Sequence, residues 1–301
     1  MQNNNTHLVS VIMNCYNGEE YLREAIDSIY AQTYQNWEII FWDNASTDNS
    51  ASIAKSYDER VRYHLASETT SLGEARDFAL NRVGGEYIAF LDTDDCYLPD
   101  KLELQIKQML SNSDYQMSYT GGFIIDENSK ITKQFTPQCY SGDIFSQQLR
   151  RYEINMQSVM LRNNQEIVFD RNLEFSPDYH LFMNICSKHK VGVIKQPLVK
   201  YRRLKDSLTD EKISRWAIEM KYTLDKIFTE NPVLKQKNEK SYKLAYAKVA
   251  YYRARYFIQI RKKSSAIKVL SKYKTINVTY FALFLLACLP YFIWKITHKL
   301  K

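Results

Sequence analysis

The feature that most constrains the fold is a regular alternation of strand-like and helix-like segments over the first hundred residues. Short apolar runs are followed by turn residues and then by apolar residues at helical spacing. The strand-like runs are Leu8–Met13, Trp37–Trp42, Val61–His64 and Tyr87–Leu91, and a helix-like stretch, Gly73–Arg82, precedes the last of them. Strands joined by helices of this length predict an α/β fold with a mainly parallel sheet and helices on both faces.

The start of the first helix is predicted from its capping residues. Apolar residues at helical spacing begin at Tyr21, and Asn17 stands where its side chain can cap the helix. Glu20, three positions after Asn17, can return a hydrogen bond to the cap. The pattern therefore predicts a reciprocal Asn17/Glu20 cap.

Length and composition narrow the class of protein. A chain of 301 residues, 45% hydrophobic and 14% aromatic, can bury a sizeable core and is not disordered, collagen-like or of low complexity. Its five cysteines are odd in number and widely separated, which argues against a disulfide framework and a structural zinc site. Because the first seven residues lack the basic and apolar regions of a secretory signal, we expect a cytosolic protein with reduced thiols.

Acidic residues follow two of the predicted strands. Asp43 ends the second strand, and Asp92, Asp94 and Asp95 come directly after the last. Ligands of parallel α/β sheets bind beyond the carboxyl ends of the strands. Three carboxylates within four residues repel one another unless a cation neutralises them, and oxygen ligands of this kind suit Mg²⁺ or Mn²⁺. The alternative is an acidic loop that caps the following helix.

Several segments together resemble the N-terminal half of the family 2 glycosyltransferases. The resemblance covers roughly residues 8 to 205 and rests on Val9–Asn17, Tyr21–Leu22, Ser28, Gln32–Thr33, Trp37–Glu38, Asp43–Asp48, Gly73–Arg76, Gly85–Asp95 and Pro99–Leu102. It implies a GT-A fold, Rossmann-like, that transfers a sugar from a nucleoside diphosphate donor with inversion, using Mn²⁺ or Mg²⁺. A Rossmann-type dehydrogenase or methyltransferase is disfavoured, because the first turn has no G-x-G-x-x-G pattern.

The resemblance also implies the residues that bind the donor. Asn14 and Tyr16 would line the uridine pocket. Asp43 and its neighbour Asn44 would hydrogen-bond the base, and Arg76 would reach toward the nucleotide.

The D-x-D element of the family matches Asp92 and Asp94. The resemblance implies that Asp94 is the direct metal ligand and that Asp92 lies nearer the ribose and the metal. A divalent cation that bridges both phosphates would stabilise the charge that develops on the leaving group.

Inverting transfer also needs a base that removes the proton of the attacking hydroxyl. Asp178 matches the second, catalytic member of an acidic pair in the family, whereas Pro177 replaces the first member. Glu174 is the alternative base. Asp178 could instead be an acid that the dipole of the following helix favours.

The segment Pro197–Arg203 resembles the closing strand of the family and the start of the loop that folds over the donor. Many relatives have a histidine where Leu204 stands, so no such histidine contact is expected here. Arg202, Arg203 or Lys205 would contact the diphosphate instead.

The last third of the chain is predicted to be helical and basic. Between Lys235 and Lys274 there are thirteen Lys or Arg residues and one acid, which indicates an acidic partner surface. Residues 275–294 carry no charge and have aromatic residues near their ends, as in membrane-associating segments. Whether they span, re-enter or lie on the membrane stays open, and a helix packed on the catalytic domain is the alternative. Nucleic acid is disfavoured, since no nucleic-acid-binding motif accompanies the basic tract.

We therefore predict three parts: a nucleotide-sugar-binding and catalytic domain at 1–206, a basic helical extension at 207–274 and an apolar membrane-associating segment at 275–301. The predicted function is transfer of a hexose or N-acetylhexosamine from a UDP-sugar to a membrane-anchored glycan acceptor, of the bacterial envelope type, at the cytoplasmic face of the plasma membrane. The alternative is a catalytically weak scaffold that binds nucleotide or glycan. The sequence does not indicate an oligomeric state.

Overall fold

The computed structural model describes residues 6–204, 213–291, 293 and 294. The strands are β1 (Val9–Cys15), β2 (Trp37–Asp43), β3 (Val61–Leu65), β4 (Tyr87–Phe90), β5 (Cys96–Tyr97), β6 (Tyr115–Ile125), β7 (Ile131–Phe135), β8 (Met160–Arg162) and β9 (Lys190–Arg202). The helices are α1 (Glu19–Tyr30), α2 (Ser50–Ala54), α3 (Leu72–Leu80), α4 (Lys101–Ser111), α5 (Phe145–Arg150), α6 (Pro177–Lys188), α7 (Ile213–Glu230), α8 (Pro232–Lys237), α9 (Glu239–Gln259), α10 (Lys263–Ser271) and α11 (Val278–Cys288), with a short 3₁₀ helix at Met156–Ser158. Each of the four strands predicted from the sequence is present, with ends within two residues of the prediction.

The strands form one mixed sheet in the order β3-β2-β1-β4-β8-β6-β9-β5, with β7 paired to β6. The pairs among β1, β2, β3 and β4 are parallel, as are β6 and β9. The strands β5, β7 and β8 pair antiparallel to their neighbours. This arrangement confirms the predicted α/β class and brings the carboxyl ends of β1, β2 and β4 to one edge.

The main core lies between this sheet and the helices that connect its strands. Every residue of β2 is buried, as are six of the seven residues of β1. Helix α1 contributes Leu22, Ala25, Ile26 and Ile29 to the same cluster. Burial of one Leu or Ile side chain contributes about 1.5–3 kcal/mol to folding. The loops at the carboxyl ends of these strands therefore start from a well-packed core.

The predicted Asn17/Glu20 cap of α1 is wrong. Asn17 adopts a φ of 52°, and its carboxamide oxygen accepts the backbone N–H of Thr47 at 2.8 Å. The helix begins at Glu19, whose N–H donates to Oδ2 of Asp48 at 3.0 Å. The loop after β2 thus supplies the cap, and two loops of the carboxyl edge are held together by it.

The chain divides into two compact units. Of the described residues, the first unit holds 6–145 and 153–204, and the second holds 146–152 and everything from 213 onward. The predicted boundary at 206/207 lies outside the described residues, as do Lys205, residue 292 and residues 295–301. The five cysteines, all within the described part of the chain, are free thiols, and four of them are buried.

The second unit is helical, and it has a core of its own. Buried residues of α9, α10 and α11 pack together with Trp294. Helix α11 also exposes apolar side chains at helical spacing: Val278, Phe281, Leu285 and, just past the helix end, Leu289, which are 45% to 84% exposed. Among the residues that the structure describes, no helix has both the length and the apolarity to cross a membrane.

Candidate active site

The candidate site lies at the sheet edge where β1, β2 and β4 end. In the parallel register Asn14 pairs with Trp42, Cys15 with Asp43, and Ile12 with Phe90. This register places the loop that starts at Leu91 beside the ends of β1 and β2. The sheet thereby gathers residues that are far apart in sequence, as the acidic pattern predicts.

Asp43 is fully buried at the end of β2. Its Oδ1 accepts the N–H of Ser46 at 2.8 Å, and its Oδ2 accepts the hydroxyl of Tyr63 at 2.6 Å. Burial and the carboxylate of Asp43 raise the pKa of Tyr63, so the phenol keeps its proton and remains a donor. Two hydrogen bonds from the protein therefore hold the Asp43 side chain in a fixed orientation.

The side chain of Asn44 makes hydrogen bonds to Thr70. Its amide nitrogen donates to the carbonyl of Thr70 at 3.0 Å, and its amide oxygen accepts both the N–H and the hydroxyl of Thr70. These bonds hold the loop before α3, and the amide nitrogen of Asn44 has a second N–H that can still donate. A base contact by Asn44 stays a prediction.

Asn14 and Tyr16 lie at the end of β1, at the same edge. The amide of Asn14 donates to the carbonyl of Ala75 at 2.9 Å, which ties the end of β1 to α3. Tyr16 is 57% exposed. An exposed ring beside a buried polar edge is available for stacking on a planar ligand.

Arg76 is the centre of the site. Its side chain is 7% exposed, with Nη1 at 3.4 Å from Oδ1 of Asp178 and Nη2 at 3.7 Å from Oδ1 of Asp92. Asp178 lies in the first turn of α6, directly after Pro177 at the helix N-terminus. The structure thus brings together three residues that the sequence assigned to separate tasks.

Close packing of α3 on the loop before α6 makes this arrangement possible. Gly73, near the start of α3, lies against the backbone of Leu173, and a Cβ at Gly73 would come within 2.5 Å of the carbonyl oxygen of Leu173. Any side chain larger than hydrogen would push the two segments apart. Glycine is therefore required for Arg76 to reach Asp178.

The three acids after β4 differ in their surroundings. The side chain of Asp92 is 42% exposed, yet its recessed position and the carboxylate of Asp178 raise its pKa, while Arg76 lowers it. Burial and the Asp92 carboxylate raise the pKa of Asp94 to about 6. Burial raises the pKa of Asp95 well above its usual range; its Oδ1 accepts the N–H of Arg202 at 2.7 Å. Asp95 is thus part of the scaffold, while Asp92 and Asp94 face the site.

The carboxylates of Asp92 and Asp94 fit a divalent cation. Oδ2 of Asp95 has no hydrogen-bond partner among the described residues, and the surroundings of Asp92 and Asp94 disfavour their charged forms, so the loop favours added positive charge. Mg²⁺ and Mn²⁺ take a few carboxylate oxygens and keep water and substrate phosphates as other ligands. Over residues 6–204, 213–291, 293 and 294, no three His, Cys, Asp or Glu side chains are grouped to hold a metal by themselves.

Arg202 does not face a diphosphate. Its side chain is fully buried, with Nε donating to the carbonyl of Asp94 at 2.8 Å and Nη2 to Glu24 at 2.7 Å. Nη1 donates to the carbonyl of Asp126 and to the hydroxyl of Ser129. All three nitrogens of the guanidinium are engaged, so the expected diphosphate contact by Arg202 is corrected to a structural role. Of its two alternatives, Arg203 is exposed, and Lys205 lies outside the described residues.

A pair of neighbouring substitutions separates these roles. We expect Arg202→Ala to lower the free energy of unfolding by about 3 kcal/mol, because it leaves Glu24 and two carbonyls without their donor. Arg203→Ala, the matched control, should change it by less than about 0.5 kcal/mol. Urea denaturation followed by circular dichroism measures both, and equal midpoints for the two variants would contradict the assignment.

Three further residues of the site were not found from the sequence. Tyr63 fixes Asp43, Glu24 pairs with Arg202, and the phenol of Tyr201 lies near the acidic loop, where burial and Asp95, Asp92 and Asp94 raise its pKa. The contact of Tyr63 with Asp43 could have been inferred from the pairing of β2 with β3. In that pairing Tyr63 lies opposite Phe41, near the end of β2. No sequence pattern indicates the other two.

The chain is similar to known proteins in sequence and in fold. Residues 10–171 match the model of a family described as Glycosyl transferase family 2. An uncharacterized glycosyltransferase of Rickettsia felis is 37% identical over 200 residues, which cover 64% of this chain and 33% of the relative. The chain thus spans about a third of the length of that relative.

Two other proteins match over more of their length. The Escherichia coli protein WfgD, described as a UDP-Glc:alpha-D-GlcNAc-diphosphoundecaprenol beta-1,3-glucosyltransferase, is 31% identical over 75% of this chain and 88% of its own. The crystal structure of S. aureus TarS 1-349 in complex with UDP-GlcNAc is similar in fold, with a TM-score of 0.68 at 16% identity, over 91% of this chain and 83% of that one. This likeness confirms the predicted GT-A fold. Because the family model matches more than half of the chain and the E. coli relative is 31% identical over three quarters of it, the chain belongs to glycosyl transferase family 2.

Proposed function

We propose that this protein transfers a hexose or N-acetylhexosamine from a UDP-sugar to a hydroxyl of a lipid-linked glycan acceptor, with inversion at the anomeric carbon. The observation that carries the proposal is the placement of Arg76 between Asp92 and Asp178 at the carboxyl edge of the sheet. In this proposal Asp92 belongs to the donor side of the site and Asp178 to the acceptor side, and Arg76 lies between them. The names of WfgD and TarS support UDP-sugar as the donor class and a lipid diphosphate glycan as the acceptor class.

The donor side consists of the residues around β1, β2 and β4. The oriented carboxylate of Asp43 accepts a hydrogen bond from the base, and Asn14 and the exposed ring of Tyr16 line the uridine pocket. Asp92 and Asp94 would hold Mn²⁺ or Mg²⁺ together with the diphosphate, and that ion would stabilise the negative charge of the leaving UDP. Asp92 also faces the ribose.

The acceptor side depends on Asp178. Its carboxylate takes the proton of the acceptor hydroxyl as that oxygen attacks the anomeric carbon. Arg76 donates to Oδ1 of Asp178 and orients the carboxylate, leaving Oδ2 for the acceptor.

The proposal assigns membrane attachment to the second unit. The basic tract between Lys235 and Lys274 supplies charge for an anionic leaflet, and the exposed apolar face of α11 supplies area that can enter the headgroup region. Two such signals together give stable attachment. We place the protein at the cytoplasmic face of the plasma membrane, where a lipid-linked acceptor is also held.

Nucleotide binding tests the proposal first. We expect UDP to bind in calorimetric titration with Mn²⁺ present, and to bind at least about tenfold more weakly with a chelator, since the diphosphate then faces the acidic loop without a counter-charge. GDP, dTDP and CDP serve as controls and should bind more weakly than UDP. Binding without turnover on lipid-linked acceptor extracts would favour the scaffold alternative, and absence of binding to every nucleotide would overturn the enzyme proposal.

A further inference from the structure

A cavity of about 390 Å³ lies within the second unit, apart from the candidate active site. It is formed by α7, α9, α10 and the turn that follows α10. Its lining combines apolar side chains with four cations, Lys221, Arg253, Lys268 and Lys272. A cavity of this size accommodates a small ligand or the polar head of a larger one.

The charges around this first cavity are not balanced. Lys221 pairs with Asp225, whose other carboxylate oxygen accepts the hydroxyl of Tyr246 at 2.6 Å. Within the described ranges, Arg253, Lys268 and Lys272 form no ion pair with an acid. Three cations around one space repel one another unless an anion lies between them. The cavity is therefore suited to a group with more than one negative charge.

A phosphate group matches this lining better than a carboxylate. It carries up to two negative charges and three acceptor oxygens, which can be shared by one guanidinium and several ammonium groups. Arg253 supplies the guanidinium, and the half-buried Tyr273, close to Lys221 and Arg253, supplies a hydroxyl donor. The site thus offers donors of three kinds to one anion.

The apolar surroundings indicate where the phosphate comes from. A second cavity, of about 560 Å³, shares Lys272 and Tyr273 with the first and extends to Asn277. Asn277 caps α11, its side chain accepting the N–H of Tyr280 at 3.0 Å. The exposed apolar side chains of α11 begin at the next residue, Val278, which is 84% exposed. A basic cavity that leads to an exposed apolar helix suits a molecule with a phosphate head and an apolar chain.

We propose that the first cavity binds the phosphate group of a membrane lipid, with the chain of that lipid lying toward the apolar face of α11. The proposal rests on the proposed function for its membrane context and adds to it a defined site for the lipid head. Lipid binding at this cavity does not depend on the sugar donor, so the test measures vesicle binding and needs no sugar transfer. Phosphate from a free molecule and phosphate from a lipid share the same chemistry, and the test separates them.

The experiment measures flotation of the full chain with phosphatidylcholine vesicles that contain about 20% phosphatidic acid, against vesicles in which oleate supplies the same negative charge. The site variant is the triple Arg253→Ala, Lys268→Ala and Lys272→Ala. We expect the unmodified chain to prefer the phosphatidic acid vesicles, and the site variant to lose about tenfold or more of its binding to them.

The matched control removes the same charge elsewhere, at three exposed lysines outside both cavities: Lys107→Ala, Lys237→Ala and Lys262→Ala. It should lose less than about threefold, since only diffuse attraction to the vesicle is weakened. Equal losses in the two triple variants, or equal binding of oleate vesicles, would overturn the proposed site. Circular dichroism and UDP binding of each variant establish that it is folded.

Two further arms test the source of the phosphate. Calorimetric titration with inorganic pyrophosphate, in the presence of a chelator, should show much weaker binding than the vesicles. Tight binding of pyrophosphate that is lost in the site variant would overturn the lipid assignment. Displacement of the vesicles by a single-stranded RNA oligonucleotide, lost in the site variant, would overturn it in favour of nucleic acid. A chain that binds UDP but fails the flotation test loses this inference alone, whereas one that binds vesicles but no nucleotide loses the proposed function alone.

Discussion

Asp178→Asn is expected to lower kcat for sugar transfer by about 10³-fold, because an amide cannot take the proton of the acceptor hydroxyl. The substitution keeps the size of the side chain, and its carbonyl oxygen can still accept from Nη1 of Arg76. UDP affinity should therefore stay within about threefold of the unmodified chain. Steady-state kinetics on a lipid-linked acceptor extract and calorimetric titration with UDP give the two values.

Glu174→Gln is the matched control for this change. Glu174 is exposed and lies on the loop before α6, four residues from Asp178. If Asp178 is the base, the Glu174 variant should keep kcat within about threefold. Full activity of the Asp178 variant together with a large loss in the Glu174 variant would move the base to Glu174.

Asp94→Ala is expected to reduce donor-dependent turnover by about 10²- to 10³-fold, a loss typical of removing one group that stabilises transition-state charge. In addition, UDP binding to this variant should no longer differ between Mn²⁺ and chelator. The two readouts together separate loss of a metal ligand from general damage to the site. A variant that retains metal-dependent UDP binding would show that Asp94 does not hold the ion.

Asp100→Ala provides the control for Asp94→Ala. Asp100 is exposed at the start of α4, and its side chain makes no capping hydrogen bond. The substitution removes one negative charge from the same loop region without touching the site. We expect unchanged metal dependence and a stability change of less than about 0.5 kcal/mol.

The sequence predicted the strands and helices whose apolar residues recur at a regular spacing. Strand-like runs and helical spacing located β1 to β4 and their crossovers, and strand direction then predicted which loops share an edge. The same argument identified the acids at that edge. What it could not predict is which of these acids is scaffold: Asp94 and Asp95 are neighbours in sequence, yet it is the carboxylate of Asp95 that accepts the backbone N–H of Arg202.

The errors all concern polar side chains with long-range partners. Asn17 was assigned to a helix cap, and Arg202 to a diphosphate with Arg203 and Lys205 as alternatives, but Asn17 and Arg202 each bond to a segment that is distant in sequence. A local pattern shows that a polar residue stands at a loop and does not show which other loop will come within 3 Å of it. The contact of Arg76 with both Asp92 and Asp178 was missed for the same reason.

The residues 146–152 belong to the second unit, although in sequence they lie between the two segments of the first unit. This connection limits how the two units can be separated. The hydroxyl of Ser146 lies 2.8 Å from that of Ser241 on α9, so this short segment is fitted to the helices that follow more than sixty residues later. A shortened protein that stops after residue 204 would keep the segment and lose the rest of its unit, including Ser241. Likewise, a chimera made at a single junction would take its C-terminal helices from a relative. Residues 146–152 of this chain would then pack against helices to which they are not fitted. Recombination between family members is therefore expected to preserve folding only when 146–152 and the C-terminal helices are exchanged together.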